Sequence, residues 1–259
     1  MSQGFRLSRG DPGKWSVWKY SWLANHKIIR ALERARPRAH GTLVDIGCGS
    51  KPFARIFQAQ VRQYWGIDLP DSRSLGGTRP DVFARGEALP FRDASIDTVL
   101  GVSLLSYVLE PGLLLREAHR VLRPGGTFIL EFTQMAPLYD EPRDYYRFTR
   151  YGAQYLLRQA GFEPTEFIPI GGLMARVGLS ATAALNRLNR GWTRILTELP
   201  VRLLYVTLHL LFESLDRWFF DPGEVLAHLV VARRAAGAGP TAAGSTADGG
   251  QPTAARRSS

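Results

Sequence analysis

Apolar and polar positions follow two periods along this chain, and the order of those periods predicts alternating strands and helices. Short apolar runs bounded by glycine or an acid read as buried strands: Leu43-Val44-Asp45-Ile46, then Tyr64–Asp68, Val82–Ala84, Ser95–Leu100 and Thr127–Phe132. Before the last of these, Leu113, Leu114, Ala118, Val121 and Leu122 form a helical apolar stripe, with Arg116, Glu117 and Arg120 set apart from it. Arg123-Pro124-Gly125-Gly126 stops that helix. Trp22–Ala35 has helical spacing ahead of the first strand, and Arg150–Ala160 predicts a helix capped by Thr149. Phe162–Ile170 reads as a sixth strand and His228–Arg233 as a closing one.

Between the last two strands some fifty residues intervene. Leu199–Phe220 projects as a helix with a narrow polar face (Arg202, His209, Glu213, Asp216, Arg217) and a broad apolar one (Leu203, Leu204, Leu208, Leu211, Leu215, Trp218). A second helix is expected near Ala181 to Leu196. His209 and Glu213 interrupt the longer helix, making it a poor membrane span, which needs about twenty consecutive apolar residues. Three covers for the apolar arc stay open: packing on the core or preceding helix, a homodimer interface, or peripheral membrane contact through 171–220. Arg176, Arg187, Arg190 and Arg194, with Trp192, Trp218, Phe219 and Phe220, suit a headgroup region.

Charge sharpens this division. The formal net charge of +10 lies on the flanks: residues 1–41 carry +7, residues 42–170 carry −1 and residues 171–259 carry +4. The basic residues do not interleave with stacking aromatics, so no nucleic-acid partner is expected. Cys48 is the single cysteine, which leaves no intrachain disulfide and no cysteine metal cluster. Its place in a glycine turn favours packing over thiol reactivity. Met1–Trp15 lacks the apolar core of a signal peptide, predicting a cytoplasmic protein. Residues 236–259 carry hardly a large apolar group and predict a disordered tail.

The chemistry concentrates at Asp45-Ile46-Gly47-Cys48-Gly49. Glycines lacking a Cβ let a ligand approach the end of the first strand, and Asp68 ends the second strand about twenty residues on. That arrangement suits a nucleoside, with the carboxylate on its ribose hydroxyls. Pro52 stands where a dinucleotide fingerprint places its third glycine, so a ligand without a phosphate fits better than a pyrophosphate. S-adenosylmethionine (SAM) is such a ligand.

Gly86-Glu87-Ala88-Leu89-Pro90-Phe91, Ile96-Asp97-Thr98-Val99 and Val121-Leu122-Arg123-Pro124-Gly125-Gly126 follow in order. With the glycine turn they make about residues 42 to 170 resemble the class I SAM-dependent methyltransferases, in the type 11-like branch. The resemblance implies a Rossmann-like, doubly wound α/β fold: a seven-stranded sheet with a reversed last strand. It also implies an N-terminal helical lid (1–41) on a core (42–170) completed by the closing strand (226–235), while the residue pattern adds a helical insertion (171–225) and the tail (236–259). Carried over by position, Asp45, Gly47 and Gly49 face the methionine part of SAM, Asp68 takes the ribose, and Leu69 lies against adenine. Arg85 stands where an acid commonly reads the adenine amino group. Glu87, or backbone around Gly86 and Ala88, is expected in its stead.

On the acceptor side two segments qualify: Ser103–Tyr107 and Tyr139–Phe148. The latter resembles a signature of a methyltransferase branch often associated with cell-surface saccharides or glycolipids, with Arg143 in place of its usual histidine. Asp144 is the candidate base, with Tyr146 and Arg147 positioning the acceptor and Tyr107 at the mouth of the fourth strand. The alternative is that Asp144 and Arg147 only fix the loop. No metal is expected. The function implied is O-methylation of a small-molecule or lipid-linked acceptor, a saccharide among them. Methylation of a quinone or natural-product ring, and a non-catalytic SAM-binding or membrane-associated scaffold, are the alternatives.

Overall fold

The computed structural model describes residues 17–70, 79–138, 140–189 and 194–235, with the backbone alone for 194–198. The sheet runs in the order β3-β2-β1-β4-β5-β7-β6. Its strands are β1 (Thr42–Ile46), β2 (Gln63–Asp68), β3 (Val82–Phe83), β4 (Ile96–Val102), β5 (Leu122–Thr133), β6 (Phe162–Ile170) and β7 (Ala227–Arg234). β1 to β5 pair in parallel, and β7 runs antiparallel to both β5 and β6. This is the expected seven-stranded sheet with its reversed last strand.

Every residue of β1 and β4 is buried, because helices cover both faces of the sheet. One face packs Val44, Ile46, Val99 and Phe128 against α3 (Pro111–Val121) and α4 (Arg150–Gln159). The other packs Leu43, Leu100 and Ile129 against Leu32 and Ala35 of α1 (Trp22–Ala35) and Phe57 of α2 (Ala54–Phe57). Thr149 caps α4 as expected, its hydroxyl accepting the Gly152 N–H at 3.1 Å.

Three elements differ from expectation. α3 stops at Val121, but Arg123–Gly126 then lies within β5 instead of forming a separate turn. Gly125 is exposed with φ +76, and buried Gly126 leaves no room for a Cβ, which would lie 2.8 Å from the Arg123 carbonyl oxygen, so the bend survives as an irregularity in the pairing with β4 between Ile96 and Thr98. The helix before the long one, α5, spans Leu173–Leu188 and so starts eight residues earlier than its sequence pattern suggested. Asp216 explains that start: its carboxylate accepts the Gly172 N–H at 3.0 Å and the Ala175 N–H at 2.9 Å, capping α5 from another helix. Finally, α1 packs against β6, β7, α5 and α6 (Arg194–Trp218) and contributes no residue to the cleft at the carboxyl edge. Trp22 stacks on His26 and His209, which is the packing role; Trp15 and the tail lie outside the described residues.

α6 is turned inside out. His209, Glu213 and Asp216 are buried, while Leu199, Leu203, Leu204, Leu210 and Leu211 are exposed. Lys27 is the cause: its ammonium lies 2.8 Å from both Glu213 Oε2 and Asp216 Oδ2. Buried carboxylates need such a partner, so the polar face turns toward α1. The His209 ring nitrogens meet the Val17 and Tyr20 carbonyls at 3.1 and 3.3 Å. Among the described residues no helix is long and apolar enough to cross a membrane.

Candidate functional site

A cleft of about 370 Å³ opens over the carboxyl ends of β1, β2 and β4, bringing together residues far apart in sequence. Gly47, Asp68, Leu69, Gly86, Glu87 and Tyr107 all line it. At the end of β1 the chain turns through Gly47 with φ +71, and a Cβ there would stand 2.9 Å from Leu104 Cδ1, itself on the cleft wall. Glycine is thus demanded twice, by backbone and by space. The turn is tied to β2 by the Gly47 and Cys48 N–H groups, both donating to the Ile67 carbonyl.

Asp68, at the end of β2, is buried yet faces the cleft. Its carboxylate accepts the Gly49 N–H at 2.6 Å and the Leu69 N–H at 2.7 Å, one on each oxygen. Two backbone donors fix its orientation and leave lone pairs for ligand hydroxyls. Gly49 therefore acts through Asp68 and is not itself on the wall.

Asp45 departs from its expected place. It is buried, it accepts the Tyr64 hydroxyl, and it does not line the cleft. Burial first, then Asp45, pushes the Tyr64 phenol well up, so the proton stays on the oxygen. Burial, with Asp45 and Asp68 next, also pushes the Cys48 thiol up, which fits a packing role.

Beyond Leu69, Arg85 and Glu87 both line the wall, their charged ends 3.8 Å apart. Ala88 does not; its N–H closes a turn onto the Arg85 carbonyl. The helix after the glycine turn, α2, has only four residues, so no long helix dipole is aimed at a phosphate.

The opposite end carries Ser103, Leu104, Val108, Leu109, Asp140, Arg143 and Tyr145 beside Tyr107. The 140–148 loop is docked there by the Tyr145 N–H on the Ser106 carbonyl and the Phe148 N–H on the Thr133 carbonyl. Tyr146 points its hydroxyl at the Leu109 carbonyl, 3.0 Å away, supporting the wall from behind. Asp144 is not on the wall. Its side chain is 1% exposed and makes a two-pronged pair with Arg147, at 2.5 and 2.7 Å. Arg147 also donates to the Ala136, Pro137 and Tyr146 carbonyls, so the pair staples the loop. Of the two expectations for Asp144, the geometry matches the loop-fixing one. Sequence reasoning placed Ser103 in an acceptor-side segment but missed its partner Glu131; a lone carboxylate inside the apolar run Thr127–Phe132 was the available signal. No metal-holding group of three ligands occurs among the described residues.

Residues 44–130 match a family described as a methyltransferase domain. An uncharacterized methyltransferase of Mycobacterium tuberculosis is 35% identical over 119 residues, 43% of this chain and 44% of that protein. The chain thus spans less than half the length of that relative. One from Mycolicibacterium vanbaalenii is 31% identical over 179 residues, covering 61% of this chain and 70% of the other. The crystal structure of the cyclase SpnF has the same fold, with a TM-score of 0.54 at 20% identity over 83% of each chain. This chain belongs to the class I SAM-dependent methyltransferases.

The cofactor of that class fits the cleft on three counts. The volume lies in the usual range for small-molecule sites, about 300–1,000 Å³. A carboxylate stands ready for a ribose, and the Gly47 and Gly86 positions leave no room for a Cβ, which would lie 2.9 Å and 2.7 Å from leucine methyls.

Proposed function

We propose that this chain transfers a methyl group from SAM to a hydroxyl oxygen of a small, amphiphilic acceptor, a lipid-linked saccharide being the form to test first. SAM supplies an activated methyl on a sulfonium; the chain's own residues bind, orient and exclude water. Asp68 holds the ribose hydroxyls, Leu69 and the Arg85–Glu87 strip border the adenine, and Gly47 lets the amino-acid tail lie close to the backbone. The acceptor lies between Ser103, Tyr107 and Tyr145, with Asp140 taking the hydroxyl proton and Arg143 bordering the same wall. Tyr146, Asp144 and Arg147 hold this wall in place.

One observation carries the reading. A single cleft has a carboxylate suited to a nucleoside sugar at one end and a cluster of hydroxyl and ionic side chains at the other. The Leu104, Val108 and Leu109 side chains line the same wall and suit an acceptor with an apolar portion.

The test is incubation with methyl-labelled SAM and a fractionated cell extract, alongside calorimetry with SAM alone. Label in the methyl group of a methyl ether in a lipid-phase or saccharide fraction is expected. Label on a ring carbon of a quinone or natural product would replace the acceptor. Absence of SAM binding would replace the enzyme with a scaffold. Asp68→Asn should weaken SAM binding by about tenfold to a hundredfold, the cost of losing a charge-assisted hydrogen bond.

A further inference from the structure

The inverted orientation of α6 leaves its leucines facing outward. At 100° per residue, Leu199, Leu203 and Leu210 fall within about 40° of one another, and Leu211 and Trp218 form a second row about 100° round the helix. Their exposures run from 49% at Leu211 to 83% at Trp218. From Leu199 to Trp218 this stripe extends about 29 Å. Between the two rows the exposed Thr207 and Ser214 hydroxyls turn back onto the helix carbonyls of Leu203 and Leu210, and an apolar face of that length is more than a scatter of single exposed residues and marks a contact site.

Charge selects the contact. Where the stripe ends in Trp218, Phe219 and Phe220, all exposed, a second cavity of about 340 Å³ opens between α1 and α6. Lys27, Arg30, Arg34 and Arg217 line it against Glu213 and Asp216, four cations to two carboxylates, with Phe220 at the edge. Lys27 bridges the two carboxylates and Arg217 also donates to Glu213 Oε1, at 3.0 Å, while the Arg30 and Arg217 side chains stay 55% and 59% exposed. An aromatic cluster next to outward arginines fits the boundary between acyl chains and anionic headgroups. A second copy of a chain carrying +10 would set these arginines against their equals.

The stripe also has a useful address. β6 runs parallel to β5, so α5 and α6 leave the sheet at the edge where the cleft opens. The Gln134 and Met135 N–H groups, just past β5, donate to the Leu226 carbonyl, and Arg176 of α5 pairs with Glu224 at 2.9 Å. The insertion and the acceptor side of the cleft are thereby coupled.

We infer that α6 lies flat in an anionic bilayer surface, its leucine stripe and Trp218–Phe220 in the interface and the Arg30/Arg34/Arg217 cavity receiving a phosphate headgroup. This docking does not depend on the identity of the acceptor.

Vesicle flotation of the full chain tests it. With phosphatidylcholine vesicles containing phosphatidylglycerol the protein is expected to float, and with phosphatidylcholine alone to stay behind. Leu203→Glu combined with Leu210→Glu should reduce the bound fraction about tenfold or more. Arg30→Gln combined with Arg34→Gln should reduce it several-fold and weaken its salt dependence. All four positions are exposed, so melting temperature and SAM binding should match the unaltered chain. Trp218 fluorescence, read against a Trp218→Phe control, should shift to the blue on binding. Absence of flotation, or flotation untouched by the leucine substitutions, would overturn the proposal. So would a dimer in sedimentation that the leucine substitutions split, which would assign the stripe to a second copy. SAM calorimetry on the same samples reports separately on the enzyme reading.

Discussion

Ser103 donates both its backbone N–H and its hydroxyl to one oxygen of Glu131, at 2.6 and 2.8 Å. Ser103 stands at the end of β4 in the left-handed region, φ +51, on the wall of the cleft. Glu131 is fully buried on the neighbouring strand β5. A serine with that backbone conformation is strained by roughly 1–3 kcal/mol, and the two charge-assisted bonds offset it. The carboxylate thereby aims the turn that faces the acceptor. Glu131→Gln keeps the shape and weakens both bonds. It should lower kcat/KM for the acceptor by about tenfold, the worth of one charge-assisted bond, and leave SAM affinity within about twofold. Steady-state kinetics with calorimetry on the same variant checks both halves.

Asp144 offers a sharper contrast between a base and a staple. It is almost without solvent exposure and pairs with Arg147. The guanidinium in turn is pushed up, chiefly by its hydrogen bond to Asp144. Asp144→Asn removes one side of a buried pair and should cost about 3 kcal/mol locally. The expected signature is faster proteolysis of the 136–147 loop and an acceptor KM raised about tenfold, with an unchanged pH–rate profile. Loss of the acidic limb of that profile would return the base role to Asp144. Arg147→Lys keeps the charge but loses the two-pronged fork, and should reproduce the loop phenotype.

The strands and the Asp68 carboxylate on the cleft wall were legible in the sequence because they rest on local signals. An apolar run of five residues between glycines or acids is a buried strand almost wherever it occurs, and Asp68 ends one. Phe162–Ile170 and Trp22–Ala35 were recovered with their full bounds for the same reason. What escaped was decided by partners distant in the chain. Asp45 looks like a ligand-facing acid until Tyr64 comes across from the next strand to take it. α6 has the pattern of an ordinary amphipathic helix, which would bury its leucines. The Lys27 ammonium, nearly two hundred residues earlier, reverses it. Asp144 and Arg147 are three apart and were readable either as chemistry or as a clasp; only the bidentate geometry separates the two.

Gly41 joins the fold's amino edge together in a way that a side chain would prevent. Its φ is +59, and a Cβ built there would stand 2.1 Å from Asp97 Oδ2. That oxygen accepts the Thr42 N–H at 2.7 Å, while the other carboxylate oxygen binds Arg123. Gly41→Ala must therefore both strain the backbone and displace a carboxylate that holds β1 beside β4. A loss of about 2–4 kcal/mol is expected from those two mechanisms together. Equilibrium urea unfolding would read it as a lower midpoint with an unchanged slope.

His228 makes stability depend on acid. The ring lies on β7, 4% exposed, with Nε2 donating to Gln134 Oε1 at 3.0 Å and no partner at Nδ1. Burial first, and Arg150 second, lower its pKa from 6.5 to about 4. Above pH 6.5 the imidazole is neutral in both folded and unfolded chains, and the stability it allows is complete. As pH falls below 6.5 the unfolded chain takes a proton that the native ring refuses, so stability declines until about pH 4 and then levels. Between those limits the loss is about 3 kcal/mol. Burial also lowers His26, His119 and His209, so the unaltered chain alone cannot isolate the effect. His228→Gln removes this titration and leaves the others. Between pH 7 and pH 5 the unaltered chain should lose about 2 kcal/mol more than the variant in denaturant unfolding. Parallel losses in the two proteins would mean that the native ring takes up its proton at the ordinary pH, and that Nδ1 has found a partner such as water.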